Sequence, residues 1–322
     1  VWHGAEDNAS EEIYSQLFSA AGTPIGSETI VNSSMSGNQK HPDVAALTTG
    51  QYAVTWEGGP GGLAGQILTS EGTKQGGELQ LASVNVGDFL HVTSLTSGKF
   101  VAVWRSGGVR GQIFDNNGGA VGNQIVITSS GSAVHTSITG WANGDFLAVW
   151  DSSGNKTVFG QKLSADGVKI GTAVAASPPT GVAYPSVAAA PTGQSLVVWW
   201  KSNHEIHGQL LDSDVQKTGG ELTLQPFTGN QIADPVVAAL PDGRYVFAWL
   251  RAGSVYVRLL QADGAFDGDE IKPYSGPGLK STPDLAALKD GGFVVVWASE
   301  QDGWGRGTYV QRFDSNGKRI YH

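Results

Sequence analysis

A tryptophan-centred repeat is the feature of this sequence that most constrains its fold. Seven tryptophans end short β-prone runs, at successive separations of 54, 48, 46, 49, 50 and 48 residues. They are Trp2, Trp56, Trp104, Trp150, Trp199, Trp249 and Trp297. A glycine stands six residues before each of the last six, and only small residues stand ten and eleven residues before. Self-similarity at a nearly fixed period is typical of a repeat architecture.

A glutamine marks the second half of each repeat. This position is occupied by Gln16, Gln66, Gln112, Gln161, Gln209, Arg258 and Gln311. A glycine follows six residues later in every repeat but one, where Val215 stands, and another follows ten residues later in every repeat but the last. Each full repeat therefore predicts four strands: a small-residue strand, a strand ending in tryptophan, a strand around glutamine, and a strand after an Asp-Gly or Asn-Gly turn.

The tryptophan strands are apolar on both faces, as the Val-Val-Val run at 294–296 shows. Each small sheet must therefore be covered on both sides, which radially stacked sheets achieve and a single-layer sheet does not. We predict an all-β fold, a β-propeller of four-stranded blades, with the small-residue strand innermost where blades converge. A β-solenoid or a tandem array of sandwiches is the alternative, and it explains the paired small residues less well.

The repeats predict one domain over 1–322, divided into 1–40, 41–88, 89–134, 135–183, 184–233, 234–281 and 282–322. The first unit lacks the small-residue strand and most of the tryptophan strand. The last unit is expected to stop before its fourth strand. Seven blades are favoured, and six are the alternative if 282–297 pairs with the N-terminal hairpin and leaves the final strand spare.

Composition argues against several classes of partner. The net charge of −9 and a pI near 5.2 argue against nucleic acid or an anionic membrane. Cysteine is absent, which excludes disulfides and thiolate metal sites. Apolar runs such as 293–298 are too short for membrane insertion. The chain opens at Val1-Trp2 without an initiator methionine or signal peptide, which predicts a processed or excised segment of a larger polypeptide.

The best-formed repeat also resembles a known one. Residues 291–297 read Gly-Gly-Phe-Val-Val-Val-Trp, a Gln-Asp-Gly loop follows at 301–303, and 309–314 read Tyr-Val-Gln-Arg-Phe-Asp. This pattern resembles the tandem β-propeller-type repeats of large secreted bacterial RTX and adhesin-like proteins, and weaker copies cover nearly the whole chain. The resemblance implies a secreted or cell-surface bacterial location. The RTX calcium-binding nonapeptide is not present as an array.

Aromatic residues outside the repeat pattern are the better site candidates, because residues shared by all repeats are interpreted as scaffold. These aromatic residues are Trp141, Trp200, Trp304, Tyr184 and Phe227. Trp304 lies in a Gly-rich loop with Asp302, Arg306 and the preceding Glu300, and these four are the predicted ligand-binding residues. An exposed tryptophan can stack on a sugar face while polar neighbours bind its hydroxyls. Core packing is expected for Trp141, and Trp200 is expected to face the next blade.

A calcium site is a weaker prediction, since calcium needs several oxygen ligands. Its candidates are Glu6, Asp7, Glu11 and Glu12 in the first loop, Glu300 and Asp302 in the last, and Asp267, Asp269 and Glu270. The alternative is that these acids lie in solvated turns, and no other cofactor is predicted. The His-Glu-Ile-His run at 204–207 is interpreted as a surface hairpin, because its two histidines point to opposite faces of a strand.

The leading functional hypothesis is a non-catalytic extracellular recognition module that binds a glycan or a cell-surface protein through rim loops. A structural spacer in a large adhesin or surface assembly, in contact with neighbouring domains, is one alternative. A glycan-active hydrolase or lyase is the other, and it would need a facing pair of carboxylates. No catalytic residue is predicted, since no catalytic motif is present and aspartates such as Asp166, Asp263 and Asp314 recur in turns.

Overall fold

The structure, a computed structural model, describes residues 1–4, 10–58, 62–83, 90–226, 232–276, 280–300 and 307–320. Every regular element in these ranges is a β-strand. The same ranges contain no helix long and apolar enough to cross a membrane. The strands of the first four repeats are β1 (Trp2–Gly4), β2 (Glu12–Phe18), β3 (Pro24–Ile30), β4 (Lys40–Ala46), β5 (Tyr52–Glu57), β6 (Gly62–Leu68), β7 (Lys74–Ser83), β8 (His91–Ser94), β9 (Phe100–Arg105), β10 (Val109–Phe114), β11 (Ala120–Thr128), β12 (Ala133–Gly140), β13 (Phe146–Ser152), β14 (Thr157–Leu163) and β15 (Lys169–Ala175). The remaining strands are β16 (Val182–Ala189), β17 (Ser195–Lys201), β18 (Glu205–Leu211), β19 (Lys217–Gln225), β20 (Ile232–Ala239), β21 (Tyr245–Arg251), β22 (Ser254–Leu260), β23 (Phe266–Ile271), β24 (Lys280–Ala287), β25 (Phe293–Ser299), β26 (Gly307–Phe313) and β27 (Arg319–Ile320).

Consecutive strands pair antiparallel, and the described strands form seven sheets, one for each repeat. Sheet 1 contains β1–β3, and sheets 2 to 7 contain β4–β7, β8–β11, β12–β15, β16–β19, β20–β23 and β24–β27 in chain order. Because β24 and β25 pair with β26 and β27, the six-blade alternative is wrong. The expectation that the last repeat lacks a fourth strand is also wrong. That strand, β27, spans only Arg319–Ile320, which is too short for the residue pattern to indicate.

The chain divides into two compact units. The first comprises mainly Val1–Ala148 with Gln161–Thr172 and holds sheets 1 to 3. The second comprises Val149–Gly160 with Ala173–Tyr321 and holds sheets 5 to 7. Strands of sheet 4 contribute to both units.

The small-residue strands lie where neighbouring sheets converge, as predicted. In the first unit β4 contacts β8, and β8 contacts β12. In the second unit β16 contacts β20, and β20 contacts β24. The paired alanines at 188–189 and 238–239 lie on these strands, and their short side chains allow neighbouring backbones to approach closely.

The tryptophan strands of sheets 2 to 6 contain continuous buried runs, so they are buried on both faces, because alternate residues of a strand point to opposite sides. In sheet 7, alternate residues of β25 are buried and the others are half-buried. Leu196 and Val198 of β17 pack in one cluster with Phe247 and Trp249 of β21. Intervening residues of β21, such as Val246, pack in a second cluster with sheet 7. The tryptophan strand of sheet 6 therefore joins its sheet to both of its neighbours, which accounts for its continuous apolar run.

The repeated glutamine stabilises a β-bulge. In sheet 5 the pairing of β18 with β19 shifts register between Gly208 and Leu210, so Gln209 has no partner in the ladder. Its Nε2 instead donates to the carbonyl oxygens of Leu210 and Thr218, each at 3.1 Å. Equivalent bonds to the carbonyls one and nine residues later are made by Gln16, Gln66, Gln112, Gln161 and Gln311. The glutamine is therefore scaffold.

Replacing Gln209 by alanine is expected to lower the free energy of unfolding by about 1–3 kcal/mol, because two main-chain carbonyls lose their donor. Gln209 is buried, so water cannot easily replace the amide. Urea denaturation followed by circular dichroism measures the loss. The control is Gln216→Ala, an exposed glutamine that donates to Asp214, and it should change stability by less than about 0.5 kcal/mol. Equal losses in the two variants would contradict the scaffold role of Gln209.

Turn aspartates have the structural role that their recurrence predicts. Oδ1 of Asp314 accepts hydrogen bonds from the backbone N–H groups of Asn316 and Lys318, each at 2.9 Å. Asp263 accepts one from Ala265 at 3.0 Å. Such bonds close the turn between the third and fourth strands, so these carboxylates are engaged in holding backbone.

Candidate ligand-binding site

The residue directly after the repeat tryptophan differs from sheet to sheet, and in sheet 5 it is Trp200. The other repeats carry His3, Glu57, Arg105, Asp151, Leu250 and Ala298 there. Trp200 is half-buried at the end of β17, on the same side of the strand as Leu196 and Val198. These two residues pack against sheet 6, so Trp200 continues that interface to its edge, in agreement with the sequence prediction.

Arg251 lies on the opposite wall of this interface, on the same side of β21 as Phe247 and Trp249. Its guanidinium carbon is 3.7 Å from the centroid of the Tyr256 ring, which itself stacks on Trp249. Its Nη1 and Nη2 atoms donate to the two carboxylate oxygens of Glu270 at 3.1 and 2.6 Å. The ring and the carboxylate together hold the guanidinium in one orientation.

Two cations set the electrostatics around Tyr256. Nζ of Lys272 lies 4.9 Å from the ring centroid, in addition to the guanidinium of Arg251. Burial alone would raise the pKa of Tyr256, but hydrogen bonds from Lys272 and Arg251 and their positive charges lower it below its ordinary value. Burial would lower the pKa of Arg251, but Glu270 and Tyr256 raise it above its ordinary value. Arg251 is therefore permanently charged.

His204 lies in the turn between β17 and β18, against the edge of Trp200. The two ring centroids are 5.8 Å apart in an edge-to-face arrangement. The backbone N–H of His204 donates to the carbonyl of Lys201 at 2.9 Å, and its φ of 61° is uncommon for a residue other than glycine. The turn thus fixes the imidazole beside the indole.

Tyr184 is an exposed aromatic residue on the adjacent strand. It follows Ala183, the Cα partner of Trp200, and it is 44% exposed. Its φ of 54° lies in the left-handed region. The same backbone conformation recurs before a proline at His41, Asp234 and Thr282. The conformation is therefore part of the repeat, whereas the tyrosine side chain is particular to sheet 5.

These side chains define what we call the sheet 5–6 groove. It comprises Trp200 and His204 from sheet 5 with Arg251, Tyr256, Glu270 and Lys272 from sheet 6. At the same end of sheet 6, burial raises the pKa of Asp234 on the first strand. The groove combines an aromatic face with oriented hydrogen-bond donors and acceptors, which is the composition of a site for a small polar ligand.

The predicted loop around Trp304 lies outside the described residues. This holds for Asp302, Trp304 and Arg306, and also for Phe227. Glu300 is described and exposed. It follows Ser299, whose Cα partner is Lys280 on β24, so Glu300 lies at the end of sheet 7 that corresponds to the groove. Ligand binding by these four predicted residues stays a prediction.

Of the calcium candidates, Glu6 and Asp7 also lie outside the described residues. Oδ2 of Asp267 accepts a hydrogen bond from Nη1 of Arg244 at 2.7 Å, so a guanidinium already balances its charge. Asp269 is exposed on β23. Among the residues that the structure describes, no three acidic or histidine side chains converge as metal ligands. Calcium binding stays a prediction.

The His-Glu-Ile-His run forms the predicted hairpin, since Lys201 pairs with Glu205 across the turn. His207, however, is buried and not at the surface. Its Nε2 lies 2.8 Å from Oε2 of Glu205, and its Nδ1 lies 2.6 Å from Oε1 of Glu221. It pairs with Trp199, on the face of sheet 5 that points away from the groove. We assign His207 to the scaffold.

The first unit holds a second polar cluster at the corresponding strand ends. Nδ1 of His41 lies 3.0 Å from Oε2 of Glu57, and the rings of His41 and His3 meet edge to face. Burial lowers the pKa of His3, in spite of the negative charge of Glu11. Glu11 in turn forms an ion pair with Lys40 at 3.0 Å. This cluster combines acids and bases but has no aromatic platform like Trp200.

The sequence did not point to the sheet 6 wall of the groove. Arg251, Glu270 and Lys272 each look like ordinary surface charges when they are read singly. Only Arg251 has a positional signal, because the second residue after the repeat tryptophan is a long cation only in sheets 5 and 6, as Lys201 and Arg251. Trp141, by contrast, was correctly predicted as core, since it is buried under the side chain of Lys162.

Comparison with known proteins rests on structure. Protein-family models give no match to this chain, and no curated protein sequence matches it. Hydrazine synthase from Kuenenia stuttgartiensis is similar with a TM-score of 0.62 at 11% identity, over 91% of this chain and 88% of that chain. The Dos1 propeller is similar with a TM-score of 0.55 at 11% identity, over 98% of this chain and 72% of that chain. AofleA from Arthrobotrys oligospora is similar with a TM-score of 0.58 at 11% identity, over 86% of this chain and 84% of that chain.

At such low identities the similarity shows the fold alone. The fold is a β-propeller of seven antiparallel blades, of which the first has three described strands and the others have four. The predicted fold class is thereby confirmed. Hydrazine synthase is an enzyme by name, so the fold does not decide between catalysis and binding.

Proposed function

We propose that this chain is a non-catalytic recognition module that binds a glycan in the sheet 5–6 groove. The proposal is carried by the half-buried Trp200 at the end of β17 and the Arg251–Glu270 pair at the corresponding end of sheet 6, on the two sheet faces that pack together. The equivalent position to Trp200 in sheet 6 is Leu250, and the equivalent position to Arg251 in sheet 7 is Ser299. The combination therefore does not follow from the repeat.

The groove chemistry suits a carbohydrate. A sugar ring presents an apolar face of C–H groups that packs on an indole, and a rim of hydroxyls that both donate and accept. The guanidinium of Arg251 supplies donors, and the carboxylate of Glu270 supplies acceptors 2.6–3.1 Å away from it. Tyr256 and Trp249 hold the guanidinium in place, so little side-chain freedom is lost on binding.

The location and wider context are part of the same proposal. The resemblance to repeats of large secreted bacterial proteins supports a secreted or cell-surface location, with neighbouring domains of a longer polypeptide as further partners. Trp304, which lies outside the described residues, follows Glu300 by four positions in the sequence. As the sequence predicts, it would add a second contact for an extended glycan or a cell-surface protein.

A glycan-active hydrolase is a second candidate, and Asp234 is the observation that favours it. Burial raises the pKa of this carboxyl, and a glycosidase needs one acid that stays protonated near neutral pH. Release of reducing ends from a polysaccharide, lost in Asp234→Asn, would establish the enzyme and overturn the non-catalytic proposal.

The test of the recognition proposal is a glycan panel followed by calorimetry on the strongest binder. Trp200→Ala should weaken binding roughly 30-fold, as expected for loss of an aromatic anchor worth about 2 kcal/mol. Phe18→Ala is the control, because Phe18 is an exposed aromatic residue of sheet 1 that lies at the opposite strand ends. Its affinity should be unchanged.

Two outcomes would contradict the recognition proposal. Binding that Trp200→Ala leaves intact would remove the groove as the site. Absence of binding to every glycan, together with self-association of the wild-type chain in sedimentation, would favour the structural spacer instead.

A further inference from the structure

Positive charge is concentrated beside the groove although the chain as a whole is acidic. The net charge is −9, yet Arg251, Lys272 and Lys280 lie close to the two tyrosines Tyr256 and Tyr274. Two of these cations lie on sheet 6 or directly after it, and Lys280 opens the first strand of sheet 7. Such a local cluster is a feature that a neutral ligand would not require.

The charges of Arg251 and Lys272 are balanced differently. Both guanidinium branches of Arg251 bind the carboxylate of Glu270, so that pair is balanced. Lys272 is exposed, and the ion pairs among the described residues include none with it. Its ammonium group lies 4.9 Å from the centroid of the Tyr256 ring, and the guanidinium carbon of Arg251 lies 3.7 Å from the same centroid. Lys272 therefore adds a positive charge to the sheet 6 wall beyond the balanced Arg251–Glu270 pair.

Lys280 is the third cation near the groove. It is 6% exposed, and its Nζ donates to the carbonyl of Gly276 at 2.8 Å and lies 5.0 Å from the Tyr274 ring. Burial first, and then the charge of Lys272, lower its pKa.

We propose that the glycan of the sheet 5–6 groove is acidic, with a hexuronate ring on Trp200 and its carboxylate at Lys272 and Arg251. This proposal deepens the proposed function and depends on it. A carboxylated sugar fits the cluster better than an acidic peptide, because the indole of Trp200 offers a flat platform for a sugar face. The positive charge thus favours an acidic glycan over a neutral one, and Trp200 favours a glycan over an acidic peptide.

The experiment compares oligogalacturonides with the same oligosaccharides after methyl esterification, which removes the charge and keeps the sugar backbone. Wild-type protein should bind the free acid at least tenfold more tightly at low salt, and the preference should shrink as salt rises. Lys272→Glu should reduce affinity for the free acid by tenfold or more. Its affinity for the methyl ester should fall by a smaller factor, because the ester has no carboxylate for Lys272 to attract.

The matched control is Lys217→Glu, the same change in charge at the far end of sheet 5, where Lys217 pairs with Leu211. Its binding should match the wild type.

Equal losses in the two variants, or equal affinity for ester and acid, would overturn the acidic-glycan proposal. If the ester bound well and Trp200→Ala abolished that binding, recognition of glycan would stand without charge selection. A polyglutamate peptide that bound as tightly as the oligogalacturonide would also overturn the proposal.

Discussion

Replacing Trp249 by alanine is expected to lower the free energy of unfolding by about 3–5 kcal/mol, the range for deleting a fully buried aromatic side chain. Trp249 is 0% exposed between sheets 5 and 6. Its ring stacks on Phe247 at 4.7 Å and on Tyr256 at 5.7 Å. Alanine would leave a cavity that these rigid rings cannot fill, so the loss includes both burial and packing.

Urea denaturation followed by far-ultraviolet circular dichroism measures this loss. The control is Trp200→Ala, which removes the same side chain from a half-buried position on the facing strand. We expect it to cost about 1 kcal/mol, within the ordinary range for a partly exposed position. A Trp249→Ala variant as stable as Trp200→Ala would show that the interface between sheets 5 and 6 is not a core.

The two tryptophans should also separate folding from binding. Trp200→Ala should bind the ligand roughly 30-fold more weakly and stay folded, because no repeat position depends on it. Trp249→Ala should lose affinity even at temperatures where it is folded, since Tyr256 and Arg251 stack above its ring. If both variants bound glycan normally, the sheet 6 wall would have no part in recognition.

The fold could be predicted from the sequence because each repeated residue has one structural role. Glutamine at a bulge, glycine at a turn and tryptophan at a sheet interface each impose one local structure, and seven copies make the pattern unambiguous. One regular signal was missed. His41, Tyr184, Asp234 and Thr282 all precede proline and all have positive φ, so this X-Pro step bends the first strand in four sheets.

The groove was harder to predict, because it depends on which faces of two different sheets meet. The sequence indicated Trp200 as an aromatic residue outside the pattern. It could not show that Arg251, 51 residues later, would lie across from it. The Arg251–Glu270 pair spans two strands of sheet 6, and the position of Arg251 after Trp249 does not indicate that Glu270 is its partner. Sites of this kind consist of departures from the repeat, which periodicity alone cannot locate.

A substitution in the turn between the third and fourth strands of sheet 6 is expected to cause the second large loss of folding stability. Gly264 has a φ of 85°, and a Cβ atom there would lie 2.5 Å from Cδ1 of Leu222 in sheet 5. Gly264→Val should cost about 3 kcal/mol, from the left-handed backbone and from overpacking against Leu222. The loss is measured by urea denaturation.

The chain contains its own comparison for this variant, because Val215 occupies the equivalent position in sheet 5 with a φ of 63°. Leu222 stands three residues after Gly219, and the corresponding residue of sheet 4 is Val174, which is smaller. We infer that valine is accepted at 215 because the facing side chain is shorter. Leu222→Ala should therefore recover part of the stability that Gly264→Val loses, as a favourable coupling in a double-mutant cycle. Strict additivity of the two substitutions would contradict this account and leave the strained backbone of Gly264→Val as the whole cost.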